Sequence, residues 1–111
     1  MEVERARALL DEERGRVERL LREIVSAGRD DRAGASQDGD MADPAEPLTA
    51  EEGDDAVAAG LRQRLAAIER AEQRIEEGTY GRSVRSGVTL PDERLEADPT
   101  AELTVEEARA T

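Results

Sequence analysis

The sequence contains no cysteine, histidine or lysine, and Tyr80 is its single aromatic residue. Without cysteine and histidine it forms no disulfide and lacks the usual ligands of a structural zinc site. The same absences remove the side chains that most often serve as nucleophiles and general bases, so the composition argues against an enzyme. Leucine, isoleucine and valine supply only 20 of the 111 residues, which excludes a large hydrophobic core.

Acidic residues dominate the charge of the chain. It has 28 aspartates and glutamates against 16 arginines, a formal net charge of −12. Such a surface repels phosphate, so we expect no direct binding to nucleic acid and a basic protein surface as the partner. The apolar runs are only a few residues long, which predicts neither a transmembrane span nor a secretory signal, and indicates a cytoplasmic protein.

Two segments carry an apolar stripe with the alternating three- and four-residue spacing of a coiled coil. The first stripe comprises Val3, Ala6, Leu10, Val17, Leu20, Ile24 and Ala27. The second comprises Val57, Leu61, Ile68, Ala71 and Ile75. Each stripe is followed by a glycine, Gly28 or Gly78, which suits the C-terminus of a helix.

The predicted fold is therefore mostly α. One helix is expected over 2–27 and another over 49–77, where Thr49 and Glu52 have the spacing of a capping box. Because both stripes are narrow, they most simply form a long antiparallel coiled-coil hairpin over residues 2–77 of a monomer. Pairing of the stripes between two chains fits the same pattern and stays open as an alternative.

The predicted connection between the helices, residues 28–48, opens a strongly acidic stretch that continues to residue 55. Residues 28–55 hold ten acidic residues and two arginines, which is −8 of the net charge. Glycine, serine and two prolines disfavour regular helix there. The acidic residues do not follow the order of a calcium-binding loop, so we expect no metal and no cofactor.

The remaining residues, 78–111, predict a small lobe. Gly81 and Gly87 bracket a tight hairpin, and the run VTLPDERLE indicates a strand that leads into a short helical turn at Pro91. The lobe has few apolar side chains to bury. Lobes of this size commonly need a disulfide or a metal to stabilise them.

The lobe resembles a known family. The run RIEEGTYGRSVRSGVTLPDERLEADPTAELTVEEA is similar to the C-terminal region of the DksA/TraR family, in which a helical hairpin is joined to a four-cysteine zinc finger. Family members read approximately E-x-G-T-Y-G-x-C-x-x-C-G, then I/L-P-x-E-R-L-E-A-x-P, then T-A-x-L-C-x-x-C. The matching framework residues include Tyr80, Gly81, Gly87, Pro91, Glu93, Arg94, Leu95, Pro99 and Leu103.

All four zinc-ligand positions of that pattern are changed here. They are occupied by Ser83, Ser86, Thr104 and Glu107, with the seventeen-residue gap between the pairs preserved. Hydroxyls and one carboxylate do not make a tetrahedral structural zinc site, so the resemblance implies a zinc-finger-like lobe without metal. Thr104 and Glu107 have the spacing of a capping box and predict the start of a short C-terminal helix. The two serines are expected to bond backbone amides in their turn.

The resemblance also implies a function for the acidic connection. Members of this family insert the hairpin into the secondary channel of bacterial RNA polymerase, with a D-x-x-D-x-A motif at its tip near the active centre. Counted back from Tyr80 without a gap, that motif falls on Asp40, Asp43 and Ala45. The implied protein is a regulator of transcription that contacts RNA polymerase directly. The alternatives are an acidic coiled-coil adaptor for another basic protein and an antagonist that only occupies the channel.

Some relatives bind guanosine tetraphosphate jointly with the polymerase through basic residues. The same register places those contacts at Ala67, Asp98 and Ala108. None of these side chains neutralises phosphate, and Asp98 repels it. The resemblance therefore predicts an activity that is independent of this nucleotide.

Overall fold

The computed structural model describes the backbone of residues 1–38 and 45–110, and the side chains of residues 1–27 and 55–110. In these ranges it contains the helices α1 (Val3–Asp38), α2 (Ala45–Glu77), α3 (Asp92–Ala97) and α4 (Val105–Arg109). The predicted mostly helical fold and the short C-terminal helix are confirmed. None of the helices in the described ranges combines the length and apolar character that crossing a bilayer requires.

α1 extends further than the sequence predicts. It continues through Gly28 and ends at Asp38, which corrects the predicted end at residue 27. A glycine inside a helix costs only about 1 kcal/mol relative to alanine. The residues that follow include alanines and arginines, which favour the helix.

α2 begins earlier than predicted. Its first residue is Ala45, so Thr49 lies inside the helix and the proposed capping box with Glu52 is wrong. Pro47 falls in the first turn of α2, where a missing backbone N–H removes no hydrogen bond of the helix. α1 and α2 therefore extend into the predicted connection, residues 28–48, from its two ends.

The predicted end of α2 is confirmed. Gly78 has φ of 77°, a left-handed conformation that glycine adopts without steric cost. The N–H of Thr79 donates to the carbonyl of Arg74 at 2.9 Å, and the N–H of Gly78 donates to that of Ile75 at 3.2 Å. This is the hydrogen-bond pattern of a Schellman motif, which satisfies carbonyls that the end of a helix leaves open.

The chain divides into two compact units. Unit 1 comprises Met1–Gly15 and Ala66–Thr111, and unit 2 comprises Arg16–Leu65. The predicted division was a hairpin over 2–77 and a lobe over 78–111. Unit 1 groups the lobe with the first residues of α1 and the last residues of α2, and the division into hairpin and lobe stays a prediction.

Within unit 1 the start of α1 and the end of α2 are antiparallel. Arg14 forms an ion pair with Glu72. Arg7, seven residues earlier in α1, lies 3.5 Å from Glu76, which is later in α2. Small and medium apolar residues fill the interior of this unit: Ala6, Leu10, Ile68, Ala71, Ile75, Leu90, Leu95 and Ala101. The buried apolar residues described in unit 2 are Val17 and Ala58. Most of these residues belong to the two predicted stripes.

The lobe has its own small core. Leu90, Leu95 and Ala101 are buried together, and Met1 and Tyr80 pack against them. The predicted strand at 88–90 is reduced to one isolated antiparallel bridge between Arg82 and Thr89, and no strand occurs in residues 1–38 or 45–110. Pro91, which has no N–H to extend the pairing, follows immediately.

Candidate functional site

The turn that contains Ser83 and Ser86 is tightly hydrogen-bonded. Ser83 N–H donates to the carbonyl of Val88 at 2.8 Å, and Leu90 N–H donates to that of Gly81 at 2.8 Å. Gly81 and Gly87 have φ of 85° and 79°, so both supply the left-handed conformation that such a turn requires. The hairpin predicted between these two glycines is confirmed.

The two serines bond to the backbone of their own turn, as predicted. Ser83 Oγ is buried and accepts hydrogen bonds from the N–H groups of Arg85 and Ser86, each at 3.1 Å. Ser86 Oγ accepts a longer bond from the N–H of Val88, at 3.4 Å. The hydroxyl of Ser83 therefore satisfies two amides at the tip of the turn.

Thr104 and Glu107 cap a helix. The N–H of Glu107 donates to Thr104 Oγ1 at 3.0 Å, and the N–H of Thr104 donates to Glu107 Oε1 at 2.9 Å. These reciprocal bonds make the predicted capping box of α4, which is confirmed. The carboxylate also lies where the helix dipole favours negative charge.

Glu107 joins the two pairs into one cluster. Its carboxylate accepts hydrogen bonds from the hydroxyl of Ser83, the backbone of Thr104 and the hydroxyl of Ser86, and these lower the pKa of Glu107 to about 2. We call these four residues the 83–107 cluster. The sequence predicted two local pairs, but it did not predict the bonds between them. At the positions that the family pattern assigns to zinc ligands, this lobe has a carboxylate surrounded by hydrogen-bond donors.

Glu102 attaches this region of the lobe to α2. Its carboxylate accepts from Arg70 Nη2 at 3.0 Å and from Arg74 Nη1 at 3.2 Å, while its carbonyl accepts from Val84 N–H at 2.8 Å. Arg74 is only 9% exposed, and its Nε and Nη2 have no hydrogen-bond partner among the described residues. Sequence reasoning missed this contact because 28 residues separate Arg74 from Glu102.

Several framework residues of the family pattern make specific contacts in the lobe. Tyr80 donates from its hydroxyl to the carbonyl of Pro99 at 2.7 Å, and burial raises the pKa of Tyr80 to about 12. Arg94 Nε donates to the carbonyl of Leu103 at 2.7 Å. These bonds hold the segment 98–104, which has little regular structure, against α3 and the turn that follows α2.

The 83–107 cluster has a structural role. Its hydroxyls and carboxylate are bonded to one another and to backbone amides. Within the part of the chain that the structure describes, no three histidine, cysteine, aspartate or glutamate side chains are grouped closely enough to hold a metal ion. The arrangement can fix the turn and the start of α4, and we assign it no catalytic step.

The candidate tip lies mostly outside the described residues. Asp40 and Asp43 fall in the segment 39–44, between the last residue of α1 and the first residue of α2. Ala45 is the first residue of α2. The motif that the resemblance placed at a connection between two helices therefore stays a prediction, with its sequence position consistent with the helix boundaries.

Comparison with known proteins identifies the fold. No family model matches the chain. The solved structure of transcription factor DksA2 from Pseudomonas aeruginosa superposes with a TM-score of 0.82 at 23% identity, covering 96% of this chain and 80% of that chain. The chain has a DksA-like fold. The resemblance that the framework residues indicated is thus confirmed at the level of the fold.

A curated relative matches part of this DksA-like chain. General stress protein 16O of Bacillus subtilis (strain 168) is 41% identical over 69 residues, which is 62% of this chain. The chain spans 42% of the length of that protein. In this DksA-like fold Ser83, Ser86, Thr104 and Glu107 meet in one cluster, and the sequence contains no cysteine.

The substitution Thr104→Ala tests the capping box. It removes the hydroxyl that accepts from Glu107 N–H and should lower the free energy of unfolding by about 1 kcal/mol, the usual cost of losing such a cap. The melting temperature, followed by circular dichroism, should fall by a few degrees. Thr104→Ser keeps the accepting oxygen and is the matched control. An unchanged melting temperature for T104A would show that the cap contributes nothing to stability.

Proposed function

We propose that this DksA-like protein regulates transcription by binding RNA polymerase directly, with the acidic segment around Asp40 and Asp43 inserted through the secondary channel. The observation that carries the proposal is the fold, which is shared with a transcription factor over 96% of the chain. The acidic charge of the chain supports a protein partner and disfavours direct contact with DNA.

An inserted probe requires a long support with the acting side chains at its end, and α1 and α2 are long helices on either side of the tip motif. α1 ends at Asp38 and α2 begins at Ala45, so Asp40 and Asp43 fall between the two longest helices of the protein. Two carboxylates near a magnesium-dependent active centre can bond to basic elements of the polymerase or alter the field around the metal and nucleotide. The proposed effect is therefore electrostatic, and this chain carries out no reaction itself.

The proposed activity does not depend on guanosine tetraphosphate. Of the three positions where relatives place phosphate contacts, two are alanines, Ala67 and Ala108. The third, Asp98, accepts hydrogen bonds from the N–H of Thr100 at 3.0 Å and from its hydroxyl at 2.7 Å. A carboxylate in this turn repels a phosphate group instead of binding it.

The first experiment measures binding of the purified protein to bacterial core RNA polymerase, with competition from a known secondary-channel protein. We expect saturable binding, displacement by the competitor, and no change on adding guanosine tetraphosphate. The double variant D40N/D43N should still bind but should lose its effect on transcription in a promoter assay, because it removes two charges and keeps similar side-chain shapes.

The matched control is D30N/D31N, which removes the same charge within α1, outside the tip motif. It should regulate transcription as the wild-type protein does. Absence of polymerase binding at micromolar concentrations would contradict the proposal and favour an acidic adaptor for another basic protein. Binding and competition without any effect of the wild-type protein on transcription would favour an antagonist that only occupies the channel.

A further inference from the structure

A groove between α1 and α2 in unit 2 is lined by basic and apolar residues, whereas the chain as a whole is acidic. Its volume is about 530 Å³ and it opens to solvent. We call it the α1–α2 groove, and it is lined by Leu21, Arg22, Val25, Ser26 and Arg62. These described lining residues include two cations and two aliphatic side chains and no carboxylate, in a chain with a net charge of −12.

Among the described residues, the arginines of this groove have no neutralising partner. Neither Arg22 nor Arg62 forms an ion pair with any other described residue. Many arginines of unit 1, in contrast, are paired with glutamate, as in Arg5–Glu96, Arg7–Glu76, Arg14–Glu72 and Arg70–Glu102. Two cations at one groove, without a carboxylate partner in residues 1–27 and 55–110, make a local surface that attracts negative charge.

The floor of the groove is apolar and accessible. Val25 is 38% exposed, and Leu21 beside it is partly buried. An adjoining depression along α1 is lined by Arg19, Arg22, Glu23, Ser26 and Ala27, so Glu23 is the acidic residue that borders this surface. A groove lined by apolar side chains and two arginines is complementary to an apolar side chain that has carboxylates near it.

We infer that the α1–α2 groove is a docking surface for an acidic, apolar segment of the protein partner. The inference rests on the proposed function, where that partner is RNA polymerase, and it adds a second contact of opposite sign to the acidic tip. Two contacts of opposite sign fix the orientation of a bound element as well as its affinity. Nucleic acid is disfavoured as the occupant because the whole chain is strongly acidic.

Polymerase binding by the double variant R22E/R62E tests this contact. We expect its affinity to fall by about tenfold or more, as for charges that meet opposite charges in an interface. The control R82E/R109E changes the net charge equally at exposed arginines of unit 1 and should bind as the wild-type protein does. V25D, which places a carboxylate on the floor, should weaken binding as well. Circular dichroism checks that each variant is folded.

Equal weakening by both double variants would overturn the inference, because net charge alone would then explain the loss. Unchanged binding by R22E/R62E and V25D would also overturn it and would leave the proposed function intact. If the wild-type protein does not bind polymerase, the proposed function fails and a second measurement decides about the groove.

That measurement is an NMR titration of the ¹⁵N-labelled full chain with a synthetic peptide that carries leucines flanked by glutamates. Amide shifts should change at residues 21–26 and at 62, and they should not change with a peptide in which lysine replaces glutamate. Absence of shifts at these residues overturns the inference whatever the polymerase result. Stronger shifts with pyrophosphate than with the acidic peptide would show a phosphate site and would overturn it too.

Discussion

The variant S83C/S86C/T104C/E107C should bind one zinc ion, whereas the wild-type protein should bind none with comparable affinity. The expected effect is large, because thiolate zinc sites in small domains bind with apparent free energies of about 10–16 kcal/mol at neutral pH. Zinc bound after gel filtration can be quantified by atomic absorption or by release to a chromogenic chelator. Melting temperatures with and without a chelator report how far the metal stabilises the lobe.

The physical basis is that the four side chains already meet. Ser83, Ser86 and Thr104 are all bonded to Glu107, so the lobe holds them in one cluster without a metal. The sequence spacing of the two pairs also matches the zinc-finger pattern of the family. Thiolates placed there would bind a common ion at about 2.3 Å.

Two paired variants are the matched controls. S83C/S86C and T104C/E107C each supply two thiolates, which is too few for a closed tetrahedral site, and both should bind zinc far more weakly than the fourfold variant. If the fourfold variant binds no better than either pair, the lobe does not preserve the arrangement of a zinc finger.

The second large effect is expected from Leu95→Ala in the core of the lobe. Leu95 is 1% exposed and packs with Leu90 and Ala101. Truncating a buried leucine costs about 2–5 kcal/mol, which is a large share of the roughly 5–15 kcal/mol that holds a typical domain folded. A core with so few residues has little capacity to repack around the cavity.

Two probes can follow this loss in different parts of the protein. Tyr80 is the single aromatic residue and packs against this core, so its fluorescence reports the lobe, while far-ultraviolet circular dichroism reports mainly the long helices. We expect L95A to lower the urea midpoint of the tyrosine signal strongly. Val84→Ala, at a position 57% exposed, should leave it nearly unchanged. Equal midpoints for L95A and the wild-type protein would contradict the assigned role of Leu95.

A local sequence pattern predicted the structure correctly only where the residues around it favoured the same structure. The same spacing of threonine and glutamate occurs twice, and it gives a capping box at Thr104 but not at Thr49. The difference lies upstream, because Pro47 is accommodated in the first turn of a helix that starts at Ala45. Gly78 ends α2, whereas Gly28 does not end α1, so glycine alone does not determine a helix end.

Contacts between distant residues could not be predicted from the sequence. The ligand spacing of the family pattern indicated that residues 83–86 and 104–107 belong together, but nothing indicated that Glu107 would accept from both serines. The link from Glu102 to Arg70 and Arg74 depends on how the lobe packs on α2, and no periodicity encodes that packing. The division into two units could not be predicted from the sequence either, because it depends on contacts between distant residues.

Unit 1 is built from two segments that are far apart in the sequence, and this has a consequence for the order in which the protein folds. Arg5 contacts Glu96 across 91 positions, and Ala6 and Leu10 are buried in the unit that contains the C-terminal lobe. During synthesis these first residues leave the ribosome long before residues 66–111 exist, and their apolar side chains stay exposed until the rest of unit 1 is made. Unit 2 has no such requirement and can form first. A ribosome stalled before residue 90 should therefore present an unfinished apolar surface at the N-terminus, which is a natural binding site for a chaperone.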